Sequence, residues 1–265
     1  MTALQNALAA ARAENRAALI GYLPVGYPDV ALSIAAMTAM VAGGVDIVEV
    51  GVPYSDPVMD GPTIQQAAEI AVRAGVSIRD ALAAVRAVTE AGGAAVVMSY
   101  WNPIERYGVD AFAADLAEAG GSGAITPDLI PDEAGAWLAA SDATGLDRIF
   151  LVAPSSTDAR IASTAGYCRG FVYAASTMGV TGVRAAVSGA AQQLVERVRA
   201  ADPEVPVCVG LGVSDADQAA EVAAFADGVI VGSAFVRRLL DSPDQSGVAA
   251  VGALAAELAA GVRRR

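Results

Sequence analysis

The chain has 265 residues, of which 55% are hydrophobic and 5% aromatic, and its 17 basic residues, all arginine, face 29 acidic ones for a net charge of −12. A nucleic acid or an anionic membrane would need a basic surface, so this charge argues against both partners. The absence of histidine and lysine excludes Ser-His-Asp and Cys-His nucleophilic schemes, histidine metal sites and lysine Schiff bases. Catalysis must therefore come from Asp, Glu, Tyr, Cys, Arg or the backbone.

The termini and cysteines give no sign of export, and we expect a cytoplasmic protein. The first residues, MTALQNALAAARAENR, are polar and acidic where a signal peptide would be apolar. The longest uncharged run, between Asp29 and Asp46, is too short to cross a bilayer. Cys168 and Cys208 form no CxxC motif and are expected to be reduced, mostly buried thiols.

Short aliphatic runs alternate along the chain with alanine-rich stretches of helical spacing. After a first predicted helix at Ala3–Glu14, eight runs are predicted to be strands: Ala18–Tyr22, Val45–Val52, Ala94–Tyr100, Gly123–Thr126, Arg148–Val152, Gly170–Ala175, Pro206–Gly210 and Gly228–Val231. Several are apolar on both faces, as in parallel strands covered by helices. The predicted helices between them include Asp29–Val41, Thr63–Ala74, Ile78–Ala91, Val109–Ala119, Ala190–Ala200 and Ala216–Phe225.

Helix boundaries are marked by capping and glycine signals. The segments 77–80 and 214–217 resemble capping boxes with Asp in place of Glu. Glycine pairs at 43–44 and 92–93 fall where helices should end. The acidic segment 241–247 is predicted to be a loop.

Eight strand–helix units in this length predict a single (β/α)₈ barrel domain over residues 1–265, an α/β fold with additional peripheral helices. The first helix is expected to plug the bottom of the barrel. A doubly wound open sheet is the alternative, but it usually carries an early glycine fingerprint, which is missing after the first strand.

Glu49 lies in the middle of an otherwise apolar run, on the same side of the predicted strand as Ile47 and Gly51. Burying an ionisable side chain costs stability unless the group has a bonding partner, and such groups are kept where they have a function. Glu49 is therefore a candidate catalytic carboxylate. The alternative is a structural glutamate that hydrogen-bonds to a neighbouring strand. The following loop carries Asp56 and Asp60, each of which is either a turn residue or the second carboxylate of an acid–base pair.

Three glycine-containing turns follow the last strands, at 179–182, 210–214 and 232–233. Glycine lets backbone N–H groups approach an anion, and Gly232-Ser233 also opens a helix, so these turns predict a phosphate site. Arg184 could close over the ligand or remain solvated. Tyr173 is predicted either to point into the barrel mouth or to be a core tyrosine.

The stretch DIVEVGVPYSDPVMDGPTIQ at residues 46–65 resembles the signature of the tryptophan synthase alpha subunit family. The resemblance continues in order through GYLPVGYPD at 21–29, PDL at 127–129, GVTG at 179–182 and Gly232-Ser233. It implies a (β/α)₈ lyase that cleaves indole-3-glycerol phosphate to indole and glyceraldehyde 3-phosphate by a retro-aldol step in tryptophan biosynthesis. The sequence departs from some members at Leu211, where they have phenylalanine, and before the GVTG, where they have arginine.

The resemblance also assigns roles to individual residues. The family's catalytic glutamate and aspartate fall on Glu49 and Asp60. The positions for phosphate and indole contacts fall on Tyr22, Tyr173, Gly182, Gly212, Gly232 and Ser233. Glu49 would act first as acid and then as base, and Asp60 would stabilise the positive charge at the indole N–H.

The same resemblance implies no cofactor on this chain and a beta subunit that carries pyridoxal phosphate, in an alpha2beta2 heterotetramer that passes indole between subunits. The sequence is also compatible with three other functions. The first is another phosphate-binding barrel, such as a sugar-phosphate isomerase. The second is a barrel that only binds and activates a beta partner. The third is a stand-alone indole-releasing lyase.

Overall fold

The computed structural model describes residues 1–175 and 184–264, without the side chains of residues 184–188. Its helices are α1 (Ala3–Ala13), α2 (Val30–Ala42), α3 (Pro62–Arg73), α4 (Ile78–Glu90), α5 (Trp101–Tyr107), α6 (Val109–Glu118), α7 (Gly135–Thr144), α8 (Asp158–Tyr167), α9 (Arg184–Ala201), α10 (Ala216–Ala223), α11 (Ser233–Asp241) and α12 (Gln245–Val262). Its strands are β1 (Ala18–Pro24), β2 (Ile47–Gly51), β3 (Ala94–Met98), β4 (Gly123–Ile125), β5 (Asp147–Ile149), β6 (Leu151–Val152), β7 (Val172–Ala175), β8 (Val207–Gly210) and β9 (Gly228–Val231).

The strands form one parallel sheet in the order β5-β4-β3-β2-β1-β9-β8-β7-β6. The two strands at the ends of this order, β5 and β6, follow each other in the chain and are separated only by Phe150, whose carbonyl oxygen accepts the N–H of Tyr173 at 3.1 Å. The fifth predicted strand is therefore interrupted once, and the sheet closes on itself. This closure confirms the (β/α)₈ barrel and excludes the open doubly wound sheet.

Strand residues alternate between the barrel interior and the surrounding helices. Ile47 packs with the interior cluster, whereas Val48 and Val50 pack with the helices, so the predicted parity of β2 is confirmed. Helix α1 closes the lower end: Leu4 and Leu8 are buried in the interior cluster, and the Leu4 N–H donates to Ser122 Oγ at 3.1 Å. The first helix plugs the barrel as predicted.

Three of the four predicted boundary signals mark helix ends, and the fourth is displaced by one residue. The Ser77 N–H donates to the Asp80 carboxylate at 2.8 Å, as the first capping box requires. The second predicted box is wrong by one position, because Asp215 caps α10 by accepting the Gln218 N–H at 2.9 Å. The N–H of Ser214 donates instead to the Gln218 side chain, so Ser214 lies just outside the helix.

The loop before the C-terminal helix is shorter than predicted, and that helix completes the outer layer. The predicted loop 241–247 is shorter, because α11 runs through Asp241 and Asp244 caps α12 by accepting the Ser246 N–H at 2.8 Å. Helix α12 is long and apolar enough to cross a membrane by length and composition. It packs instead along α2, α10 and α11, with Val251, Leu254 and other residues of its inner face buried.

Candidate active site

A cavity of about 440 Å³ opens at the carboxyl ends of the strands, where barrel enzymes place their active sites. Seven of the eight residues predicted from sequence line it: Tyr22, Glu49, Asp60, Tyr173, Gly212, Gly232 and Ser233. Gly182, the eighth, lies outside the described residues. The volume suits a small organic ligand.

Glu49 lies in the middle of β2 and is completely buried. Neither oxygen of its carboxyl group has a hydrogen-bond partner among the described residues, so the alternative of a structural glutamate bonded to a neighbouring strand is wrong for the part of the chain described. Burial raises the pKa of Glu49 from 4.5 to about 8, because water no longer stabilises the charged form. Glu49 is therefore mostly protonated at neutral pH.

Asp60 reaches the same cavity from the loop between β2 and α3. Burial raises the pKa of Asp60 from 3.8 to about 6, which leaves it mostly ionised at neutral pH. The loop is tied on both sides of Asp60: the Gln65 side chain donates to the Asp60 carbonyl oxygen at 2.7 Å, and the Met59 N–H donates to Tyr100 Oη at 2.9 Å. Two carboxyl groups with separated pKa values thus face one cavity, as an acid–base pair requires.

The two cavity tyrosines approach strand-end glycines closely. A Cβ added at Gly51 would lie 2.6 Å from Tyr22 Oη, and one at Gly210 would lie 2.8 Å from Tyr173 Oη, so a larger residue at either position would displace a ring. Burial, followed by the nearby carboxylates, raises the pKa of both tyrosines well above 10. Both phenols are therefore neutral hydrogen-bond donors in the working pH range.

The far side of the cavity is built from backbone. Gly212 has a φ of +65°, which favours glycine, and follows β8. Gly232 and Ser233 begin α11, whose first N–H groups have no partner within the helix and carry the positive end of its dipole. Among the described residues, no arginine lines this cavity. Backbone N–H groups at a helix start of this kind are suited to an anionic group.

The chain is similar over its length to proteins of one family. The tryptophan synthase alpha chain family matches residues 8–262. A tryptophan synthase alpha chain from Thermobifida fusca is 65% identical, covering 99% of this chain and 98% of its own length. A solved chain of Mycobacterium tuberculosis tryptophan synthase is 62% identical with a TM-score of 0.92, covering 99% of this chain and 98% of that one. The tryptophan synthase alpha subunit of Legionella pneumophila is 30% identical with a TM-score of 0.89, over 99% of this chain and 98% of its own.

The chain belongs to the tryptophan synthase alpha chain family. It is accordingly a lyase of tryptophan biosynthesis that cleaves indole-3-glycerol phosphate. The Legionella likeness shows that the fold is kept at 30% identity. Because the chain belongs to this family, a sugar-phosphate isomerase is excluded. Which residues carry out the family's reaction is argued from the geometry of the cavity.

The apolar wall of this tryptophan synthase alpha chain cavity was not predicted. It consists mainly of four residues from β3, β6, β9 and α3, namely Met98, Leu151, Ile230 and Ile64. Such residues look like ordinary core positions in the sequence. The signal that could have found them is strand register: Met98 pairs with Gly51, at the same carboxyl edge as Glu49.

Other predicted residues lie away from the cavity or outside the description. Asp56 is exposed and accepts the Ser55 hydroxyl, which fits a turn residue. The side chain of Arg184 and the segment 176–183 lie outside the described residues.

Leu211, where some tryptophan synthase alpha chains have phenylalanine, is half-buried against the core. Cys168 and Cys208 are free thiols, the first partly buried and the second buried, as predicted. Burial raises the pKa of both.

Proposed function

We propose that Glu49 and Asp60 perform the acid–base chemistry of indole-3-glycerol phosphate cleavage in this chain. The observation that carries the proposal is the fully buried Glu49 carboxyl group, which faces the cavity without a hydrogen-bond partner among the described residues. A buried carboxyl group without a hydrogen-bond partner lowers the stability of the fold. Carboxyl groups with shifted pKa values concentrate at functional sites.

The proton transfers follow from the two pKa values. Glu49, with a pKa of about 8, holds a proton at neutral pH and gives it to indole C3, because indole leaves readily only after this carbon is protonated. The Glu49 carboxylate then takes the proton of the glycerol hydroxyl next to the breaking bond. As the new carbonyl forms, the electron pair of the carbon–carbon bond returns to the ring and releases indole. Glu49 ends the cycle protonated.

Asp60 supplies the charge that the protonated ring needs. Its pKa of about 6 leaves a carboxylate at neutral pH, which stabilises the positive charge that C3 protonation places on the indole N–H. Tyr22, Tyr173 and the apolar wall would enclose the ring. The backbone N–H groups at Gly212, Gly232 and Ser233, together with Gly182, would hold the phosphate.

We further propose that the chain works in the cytoplasm with a beta subunit, in an alpha2beta2 assembly, and that pyridoxal phosphate is carried by that subunit. The match to chains of tryptophan synthase from Mycobacterium tuberculosis supports a beta partner. The loop before Asp60 exposes Val58 and Met59, with 77% and 51% of their surface accessible. Exposed apolar residues beside the site suit a protein interface.

The test is indole release from indole-3-glycerol phosphate by the purified chain, with and without a beta subunit. Glu49→Gln should lower turnover by about 10³-fold, within the range for a general acid–base group, while inorganic phosphate and glycerol phosphate still bind. Glu221→Gln, an exposed glutamate on α10, is the matched control and should keep full turnover.

Each outcome of this test has a defined meaning. Slow release that the beta subunit accelerates and Glu49→Gln abolishes would support the alpha-subunit role. Fast release without a partner effect would indicate a stand-alone lyase. Activation of the beta subunit without any release would indicate a catalytically silent barrel. Full activity of Glu49→Gln would overturn the residue assignment.

A further inference from the structure

A groove of about 540 Å³ runs along α1 at the lower end of the barrel, away from the candidate active site. One wall is a face of α1 that includes Gln5 and Ala13. The other wall is the chain just before β7, β8 and β9, at Gly170, Pro206 and Asp227. The groove is larger than the active-site cavity and is separated from it by the packed interior of the barrel.

Small and apolar residues give this groove its room and its lining. Ala9 and Ala13, one turn apart on α1, line it with methyl groups, and Gly170 lines it without a side chain. Gly170 has a φ of +93°, and a Cβ there would lie 2.6 Å from a leucine side chain of α1, so glycine is needed where α1 crosses the sheet. With Leu8 and Pro206, these residues form a surface that suits an apolar group.

Two charged groups of the groove, Arg12 and Asp227, face each other without a hydrogen bond. Arg12 Nη2 lies 3.8 Å from Asp227 Oδ1, which is beyond hydrogen-bonding distance. The other oxygen of Asp227 is occupied, because Oδ2 accepts the Val207 N–H at 3.0 Å and Arg199 Nη2 at 3.1 Å. Within the described residues, neither the Arg12 guanidinium nor Asp227 Oδ1 forms a hydrogen bond.

The second arginine of the groove, Arg16, is already engaged. Its guanidinium forms four hydrogen bonds within the described residues, to the carboxylates of Glu14 and Asp46 and to a backbone carbonyl oxygen, at 2.7 to 3.2 Å. It is also 7% exposed, whereas 57% of the Arg12 side chain is accessible. Arg12 and the free oxygen of Asp227 are therefore the charged groups of the groove that can bond a ligand.

Adjacent charges of opposite sign match the head group of an α-amino acid, which carries its ammonium and carboxylate groups on one carbon. The guanidinium of Arg12 presents N–H donors in a fork that fits a carboxylate. Asp227 Oδ1 accepts a hydrogen bond from an ammonium group. A simple carboxylate would face the negative charge of Asp227, and a simple amine would face the positive charge of Arg12, so each is disfavoured against the zwitterion.

We propose that this groove binds a free α-amino acid with a large apolar side chain, its carboxylate on Arg12, its ammonium group on Asp227 and its side chain against the alanines of α1. Such a ligand joins α1 to the chain before β8 and β9. Because α1 closes the lower end of the barrel, binding stabilises the folded chain. The site is independent of the catalytic roles proposed for the carboxyl groups at the upper end.

The test is calorimetric titration and thermal unfolding with L-phenylalanine as the probe. We expect saturable binding of one molecule per chain, and a rise in Tm of about 3 °C when the probe is present at about ten times its dissociation constant. The analogue 3-phenylpropionate lacks the ammonium group, and phenethylamine lacks the carboxylate. Each should bind about 10-fold more weakly, because each leaves one charge of the groove without its partner.

Two substitutions on α1 locate the site, each with a matched control. Arg12→Gln should weaken binding about 10-fold, whereas Arg86→Gln, at an exposed arginine of α4, should leave it unchanged. Ala9→Leu should fill the groove and abolish binding. Ala10→Leu adds the same side chain at the next position, which is exposed and outside the groove, and should leave binding unchanged.

All four variants change exposed side chains, so without the probe they should unfold at nearly the wild-type temperature. Failure of L-phenylalanine to bind the wild type, or binding that survives both Arg12→Gln and Ala9→Leu, would overturn the proposal. Competitive inhibition of indole release that both variants retain would place the probe in the upper cavity instead. Equal binding of 3-phenylpropionate would overturn the role of Asp227.

Discussion

The two ends of the barrel each bury a carboxyl group, and the two groups differ in how their oxygens are satisfied. At the lower end, Asp147 on β5 is 1% exposed and accepts hydrogen bonds from Thr2 and from Gln5, the latter at 2.7 Å. At the upper end, Glu49 is fully buried with neither oxygen partnered among the described residues. Similar burial thus goes with a paired carboxyl group at one end and an unpaired one at the other.

Other charged groups at the lower end follow the pattern of Asp147. Arg16 is 7% exposed and binds Asp46 through two nitrogens, at 2.7 and 2.8 Å, and Asp46 also accepts the Leu19 N–H at 2.8 Å. Such fully paired groups fix the junction between α1, β1 and β2. The upper end lacks comparable pairs among the described cavity residues, and this leaves its carboxyl groups available for a substrate.

The largest expected effect is on the pH dependence of stability. The pKa of Glu49 is raised from 4.5 to about 8, so the folded state holds a proton that the unfolded state releases, and stability falls as the pH rises from about 4.5 to about 8. The shift corresponds to about 5 kcal/mol above pH 8. Glu49→Gln should therefore unfold less readily than the wild type at pH 9 and differ little at pH 5, as measured by urea denaturation.

A control separates this effect from the general charge of the protein. Glu221→Gln removes the same charge from an exposed position and should give nearly parallel stability curves at both pH values. If Glu49→Gln and Glu221→Gln change the free energy of unfolding equally at pH 9, burial is not what perturbs Glu49. The contrast between the two ends of the barrel would then disappear.

A smaller effect of opposite sign is expected at the lower end. Asp147→Asn keeps the shape of the side chain but leaves one of the two donors, Thr2 or Gln5, poorly matched. The free energy of unfolding should fall by about 2 kcal/mol. The kcat for indole release should change less than about twofold, because Asp147 is remote from the cavity. A large loss of kcat at normal stability would show that the lower end also takes part in catalysis.

The site residues whose chemistry is visible within one segment of the chain could be predicted from the sequence. Glu49 stood out because an ionisable residue interrupts an apolar strand, and its parity with Ile47 placed it in the interior. Asp60 and the glycines at 212 and 232 stood out because turns after barrel strands build the site. All four line the cavity.

The features that were missed depend on contacts between distant segments. Tyr100 reads as the end of a strand, and only the fold brings its hydroxyl to Met59. The apolar wall at Met98 and Leu151 has the composition of the core, and only its place at the strand ends distinguishes it. The interruption of the fifth strand at Phe150 likewise has no local signal, because the run stays apolar on both sides.

The measurement that tests the account most directly is the titration of Glu49 itself. Carbon-13 NMR of the side-chain carboxyl groups in glutamate-labelled protein would follow it, with the Glu49 signal identified by its loss in Glu49→Gln. We predict a titration midpoint of about 8 for Glu49, well above the value of about 4.3 that is usual for a glutamate in a model peptide. A midpoint for Glu49 near that usual value would contradict the claim that the upper end of the barrel holds an unpaired, protonated carboxyl group ready to act as an acid.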